Sequence, residues 1–235
     1  MKKILHLGCS WSQFNHEGQK GVPENTVEVL KEKNVDVLYY SASHGGCDLG
    51  TQFEVLKSEI GKGYDFIIFQ VTSDSRHHIR TGHYNLDWTP TVSHPNIYKC
   101  DVSLRKSFVF WNPNYGKAID QFWHKHNRDY RMAAKLSYSY DWDDQSLYFG
   151  QICSIKKILE KSNTPYIIYS HRNIWWEKHN NIFQAHTTDL LDFDVETQLG
   201  DNFNSYIVDD GHHLSSQGNR IVAEELIVPR LLPYL

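Results

Sequence analysis

The chain has 235 residues and a mass of 27.5 kDa, enough for one large domain or one domain carrying an insertion. Hydrophobic residues make up 40% and charged residues 22%, so it holds a core and disorder is excluded as its main state. A net charge of −4 and a pI near 6.4 argue against a nucleic-acid binder that works by neutralising phosphates. No apolar run approaches the roughly 20 residues a membrane helix needs, and the apolar stretch after Met1-Lys2-Lys3 is too short for a signal peptide. Cys9, Cys47, Cys100 and Cys153 are scattered without a CxxC pair, which reads as thiols in a reducing, cytoplasmic setting rather than a disulfide frame or zinc site.

In chain order, Lys2–Leu7 is a short strand running into Gly8-Cys9-Ser10. Asn25–Lys33 reads as a helix, and Val35–Ser41, β-branched and aromatic, as a second strand. Asp48 is placed to cap a helix over Leu49–Ile60, whose Leu49, Phe53, Leu56 and Ile60 share one face. Tyr64–Thr72 is a near-continuous apolar run, as in a strand buried on both faces. Strand and helix thus alternate in a doubly wound pattern through the first 75 residues.

From about residue 76 to 147 the rhythm breaks. Pro90, Pro95 and Pro113, six of the fourteen histidines and many Trp and Tyr residues fall here. We read it as an insertion into a single α/β domain, helical over Gly116–Leu136 and otherwise loops, too aromatic for a flexible linker. Alternation then resumes with a helix over Gln145–Lys161, a strand over Pro165–Ser170, a short fifth strand at Tyr206–Val208 and a last helix over Ser215–Ile227.

Chemistry-bearing residues gather at the ends of predicted strands, where open α/β sheets bind ligands. Gly8-Cys9-Ser10-Trp11-Ser12 presents a serine on a tight turn, with Ser12 a competing hydroxyl. In Ser43-His44-Gly45-Gly46-Cys47-Asp48 small residues let main-chain N–H groups approach a substrate, and Gln70-Val71-Thr72-Ser73-Asp74 closes the third strand. Far along lies Asp209-Asp210-Gly211-His212-His213. An Asp three residues before a His can bond one ring nitrogen and leave the other to take a proton from a serine. Both Asp210–His213 and Asp209–His212 have that offset; the Leu214-Ser215 helix start that follows favours His213. Each segment alone has a plain structural reading: a capping serine, a surface histidine, glycines of a loop, an Asp74 bonding its own backbone. Cys9 is a weak rival nucleophile, since on a strand end it points away from Ser10. His77, His78, His83, His124 and His126 have no carboxylate or cysteine placed to complete a metal set, so no metal is expected.

In this order the segments resemble the SGNH (GDSL-like) hydrolase family, over roughly residues 1–75 and 145–235. Gly8-Cys9-Ser10 matches the family's Gly-Asp-Ser block, Gly45 or Gly46 its glycine block, Val71-Thr72-Ser73-Asp74 its Gly-x-Asn-Asp block, and Asp210-Gly211-His212-His213 its Asp-x-x-His block. The Gly-Cys-Ser-Trp opening is similar to a divergent subgroup of phage and bacterial proteins. The resemblance implies a flavodoxin-like three-layer α/β/α fold with a central parallel sheet of about five strands. It also implies a serine esterase with Ser10 as nucleophile, His213 as base and Asp210 as its orienting carboxylate. The oxyanion would lie among the N–H groups of Ser10 and Gly45 and a hydroxyl of Ser73 or Thr72, with Trp11, Asp74 and His212 lining the substrate and no cofactor. Three departures stand out: Cys9 for aspartate, Val71 for glycine, and Ser73 for the asparagine that donates to the oxyanion. Loss of one such donor costs about 10²–10³ in rate. The aromatic insertion suggests a small-molecule or glycan ester as substrate, O-acetyl carbohydrate included. The alternative is a non-catalytic module of the same fold that holds glycan or protein through those rings, or a structural assembly protein.

Overall fold

The structure is a computed structural model. It describes residues 1–9, 12, 20–44, 47, 49–72, 76–80, 86–92, 94–100, 107–111, 144–171, 190–208 and 213–235. The strands are β1 (Lys2–Cys9), β2 (Val37–His44), β3 (Phe66–Val71), β4 (Arg76–Arg80), β5 (Thr89–Pro90), β6 (Ile97–Lys99), β7 (Ser107–Trp111), β8 (Tyr166–Ser170) and β9 (Phe193–Asp194). The helices are α1 (Val22–Glu32), α2 (Leu49–Glu59), α3 (Asp144–Lys161), α4 (Val195–Leu199) and α5 (Ser216–Ile221). The last runs through a π-helical turn (Val222–Ile227) into α6 (Val228–Leu231).

The central sheet has seven strands in the order β5-β6-β2-β1-β3-β8-β9, and every pairing is parallel except β5 with β6. This corrects the expectation of about five strands. The inner order β2-β1-β3-β8-β9 is the flavodoxin-like one, whose topological switch point lies beside β1. The insertion supplies β6 and β5 as an added edge, and its β4 and β7 form a separate antiparallel ribbon, where loops were expected. Tyr206–Val208 is not a sheet strand: Tyr206 ends a 3₁₀ helix and Ile207 makes an isolated antiparallel bridge to Leu214. Two residues of sheet, Phe193–Asp194, take the place beside β8 instead. The expected helix over Gly116–Leu136 and the capping Asp48 lie outside the described residues.

Strand alternation sorts the core into two layers. Ile4, Tyr39, Phe66, Ile68, Ile167 and Tyr169 face α1 and the C-terminal helices. Leu5, Leu7, Ile67, Phe69, Val71 and Ile168 face α2 and α3. Both faces are therefore covered, which is why these strands read as continuous apolar runs. Helix α1 begins earlier than the periodicity indicates, because Pro23 sits in its first turn and Glu24 accepts from Gly21 N–H at 3.1 Å. Strand β6 is tied to α1 by an ion pair between Lys99 and Glu24.

Two polar features interrupt this apolar interior. His6 of β1 is fully buried, bonded through Nδ1 to the Tyr39 hydroxyl at 2.8 Å, and burial holds its pKa down at about 3. Gly8 pairs in register with Ser43. A Cβ on it would stand 2.6 Å from Ser12 Oγ, 2.8 Å from Ser43 Oγ and 3.0 Å from Gln70 Oε1, so a side chain here would force these hydrogen-bonding groups to shift.

Gly8→Ala should therefore destabilise the fold by about 1–3 kcal/mol in denaturant unfolding; an unchanged midpoint would contradict the crowding. His6 binds a proton more readily unfolded than folded, so its contribution to stability is complete above about pH 6.5 and is lost as pH falls towards 3. Over that window wild type should lose up to about 1.4 kcal/mol per pH unit more than His6→Gln, and parallel pH profiles of unfolding would refute it.

Candidate active site

The turn after β1 is held from below by β3. Ser12 N–H donates back to the Cys9 carbonyl at 3.0 Å, so Ser10 and Trp11 are the two residues spanned by this bond. Gln70, near the end of β3, places its carboxamide oxygen 3.0 Å from Cys9 N and 2.7 Å from Ser12 Oγ. The Cys9 N–H can only donate, which identifies the Gln70 atom facing it as the oxygen. Ser12 spends its one proton on that oxygen. Its Oγ is then the acceptor towards His6 Nε2 at 3.3 Å, and it lies 3.3 Å from the Tyr169 hydroxyl. The His6 ring proton accordingly sits on Nε2, and Nδ1 accepts from Tyr39 O–H. Burial raises the pKa of both Tyr39 and Tyr169, so both hydroxyls remain protonated donors.

Ser12 is fully buried with its proton committed, and it belongs to the framework of the turn. Cys9 is buried as well, its thiol 3.5 Å from Gln70 Oε1. The four polar partners His6, Tyr39, Gln70 and Tyr169 were not singled out from sequence. The usable signal was a histidine and a glutamine at inward positions of otherwise apolar strands, on the same face by period two.

At the third strand end, Thr72 is buried and its carbonyl accepts from the Tyr148 hydroxyl of α3. Ser10, Trp11, Gly45, Ser73, Asp74, Asp210 and His212 lie outside the described residues, as do His83, His124 and His126.

His213 is described and half-buried. Its carbonyl accepts from Val208 N at 2.8 Å, and Ser215 N donates to Tyr206 O at 2.7 Å. With the Ile207–Leu214 bridge these bonds join the two ends of the Asp209–His212 segment. Ser215 caps α5, its Oγ accepting from Gly218 N at 3.2 Å.

The early and late segments are then joined through residues 20–22. Val22 N donates to Ser12 O at 2.9 Å. Lys20 N donates to Ser216 Oγ at 3.1 Å, and Asn219 Nδ2 donates to Lys20 O at 3.2 Å. One short piece of chain thus bonds to the residue two after Ser10 and to residues three and six after His213. Among the described residues, no three His, Cys, Asp or Glu side chains gather as metal ligands, and no helix is long and apolar enough to cross a membrane.

No family model matches the chain, and no curated protein matches it by sequence. Solved structures do match. The structure of TesA superposes with a TM-score of 0.55 at 11% identity, covering 100% of both chains. The acetyl xylan esterase AlAXEase gives 0.52 at 16% identity, over 94% of this chain and 96% of that one. A lipase/acylhydrolase from Enterococcus faecalis gives 0.53 at 9% identity, over 98% and 95%. The chain therefore shares the α/β fold of these structures, with its mostly parallel seven-stranded sheet flanked by helices.

Proposed function

We propose that the protein is a serine acyl-ester hydrolase of the SGNH type. The observation that carries this reading is the junction at Lys20–Val22. On a sheet shared with esterases and lipases, it ties the turn containing Ser10 to the segment containing His213, beside the switch point where such sheets bind ligands.

In this mechanism His213, oriented by Asp210, takes the proton of Ser10 as its Oγ attacks the ester carbonyl. The N–H groups of Ser10 and Gly45, with a hydroxyl from Ser73 or Thr72, stabilise the tetrahedral oxyanion. His213 then protonates the leaving alcohol. Water, deprotonated by the same imidazole, attacks the acyl-enzyme and releases the acid. Trp11, Asp74 and His212 line the substrate, and the reaction needs no metal or organic cofactor. An O-acetyl ester of a carbohydrate is the favoured substrate class. It draws on the aromatic insertion and on the likeness to an acetyl xylan esterase. A reducing, cytoplasmic setting fits four cysteines joined by no disulfide.

The replacement of the oxyanion asparagine by Ser73 favours a second reading, a non-catalytic module of this fold that holds glycan or protein. Assay on a small aryl acetate and on acetylated oligosaccharides separates the two. The esterase reading expects Ser10→Ala to lower kcat about 10⁴-fold or more and to abolish covalent labelling by a fluorophosphonate, with the fold intact by circular dichroism. Full activity in Ser10→Ala, or an inert and unlabelled wild type, would overturn it.

A further inference from the structure

The four-residue segment Cys9–Ser12 is gripped at both ends by one atom. Gln70 Oε1 accepts from the backbone N–H at its start and from the hydroxyl at its close, at 3.0 and 2.7 Å. Gln70 is itself 1% exposed and stands on β3, paired in register with Tyr169 of β8, so it cannot swing away. Ser12 is further fixed by His6 and Tyr169, and Gly8 leaves no room for a side chain between Ser12, Ser43 and Gln70. A turn held only by its own 3.0 Å backbone bond would sample several geometries. Gln70 instead crosslinks Cys9 and Ser12, the two ends of the segment, to a central strand through a buried amide.

We propose that Gln70 is a positioning residue for the reaction: by accepting from both ends of the Cys9–Ser12 turn, its carboxamide oxygen sets where the hydroxyl and backbone N–H of Ser10 stand relative to the imidazole of His213. This rests on the serine-hydrolase reading and adds to it a residue that touches neither substrate nor reacting atoms. The substitution of a buried strand position would alter packing alone if Gln70 were only a core residue. A positioning role instead puts its effect in kcat and in the reactivity of the serine, because displacing a nucleophile by about 1 Å costs on the order of 10²-fold.

The test compares Gln70→Met, which keeps the volume and removes the acceptor, with Gln70→Glu, which keeps an acceptor oxygen in either protonation state, and with Ser12→Ala. Steady-state kinetics on an aryl acetate, the rate of fluorophosphonate labelling at Ser10 and the unfolding midpoint are read for each. Gln70→Met should lower kcat and the labelling rate about 10–100-fold with KM within threefold. Gln70→Glu should restore both to within about fivefold of wild type. Ser12→Ala should show a smaller loss of the same kind, and adding it to Gln70→Met should cost little more. Wild-type kcat and labelling in Gln70→Met would overturn the proposal while leaving the esterase reading intact. So would equal losses in Gln70→Met and Gln70→Glu that follow their unfolding midpoints. If Gln70→Met does not fold, unchanged kinetics in Ser12→Ala overturn it. An unlabelled, inactive wild type removes the serine-hydrolase reading and this proposal with it.

Discussion

A buried amide oxygen shared between a backbone N–H and a serine hydroxyl joins the first strand of this protein to its third. The bond has consequences in both directions. Downward, it completes a chain of polar groups, Gln70, Ser12, His6 and Tyr39, that would be costly in the interior if any member lacked a partner. Upward, it gives the first strand a defined exit at the carboxyl edge of the sheet. The crowding around Gly8 follows from the same requirement, since the three side chains that converge there leave no volume for a methyl group.

The rest of the architecture serves the placement of that exit. Apolar residues on alternate positions of β1, β3 and β8 bury both faces of the sheet, each fully buried side chain contributing roughly 1.5–3 kcal/mol. The helices on the His6 face are those that flank the site in sequence: α1 follows the Ser10 turn and α5 follows His213. Their closeness is reinforced at the surface by Arg220 of α5, whose guanidinium meets Glu32 of α1 at 2.5 Å. Because this pair is solvent-exposed it adds little stability, and the apolar contact beneath it does most of the work of bringing the two segments together.

Much of the fold was legible in the residue pattern. The apolar runs of β1, β3 and β8 and the amphipathic faces of α2 and α3 were placed to within a few residues, because burial on two faces or one leaves a direct trace in sequence. The errors share a cause. Thr89–Pro90, Ile97–Lys99 and Phe193–Asp194 are two- or three-residue strands whose existence depends on a neighbour already being in place, so no local period announces them. Tyr206–Val208 has the composition of a strand, yet its backbone bonds go to Leu214 and its surroundings rather than to the sheet.

For the site, the amino-acid order alone pointed to short segments with the residue types that nucleophile, base and oxyanion chemistry would need, since a serine after a strand and an Asp-x-x-His before a helix are local patterns. It also determined the alternating α/β class. Only the tertiary structure decided that Ser12 is buried and hydrogen-bonded to Gln70, that His6 stays neutral in the core, and that Gln70 accepts from both Cys9 and Ser12. Those outcomes depend on contacts between residues distant along the chain, such as His6 with Tyr39, 33 positions apart, and Ser12 with Gln70, 58 apart, and on how completely water is excluded from them. Neither distance in space nor burial is written in the spacing of residues along a chain.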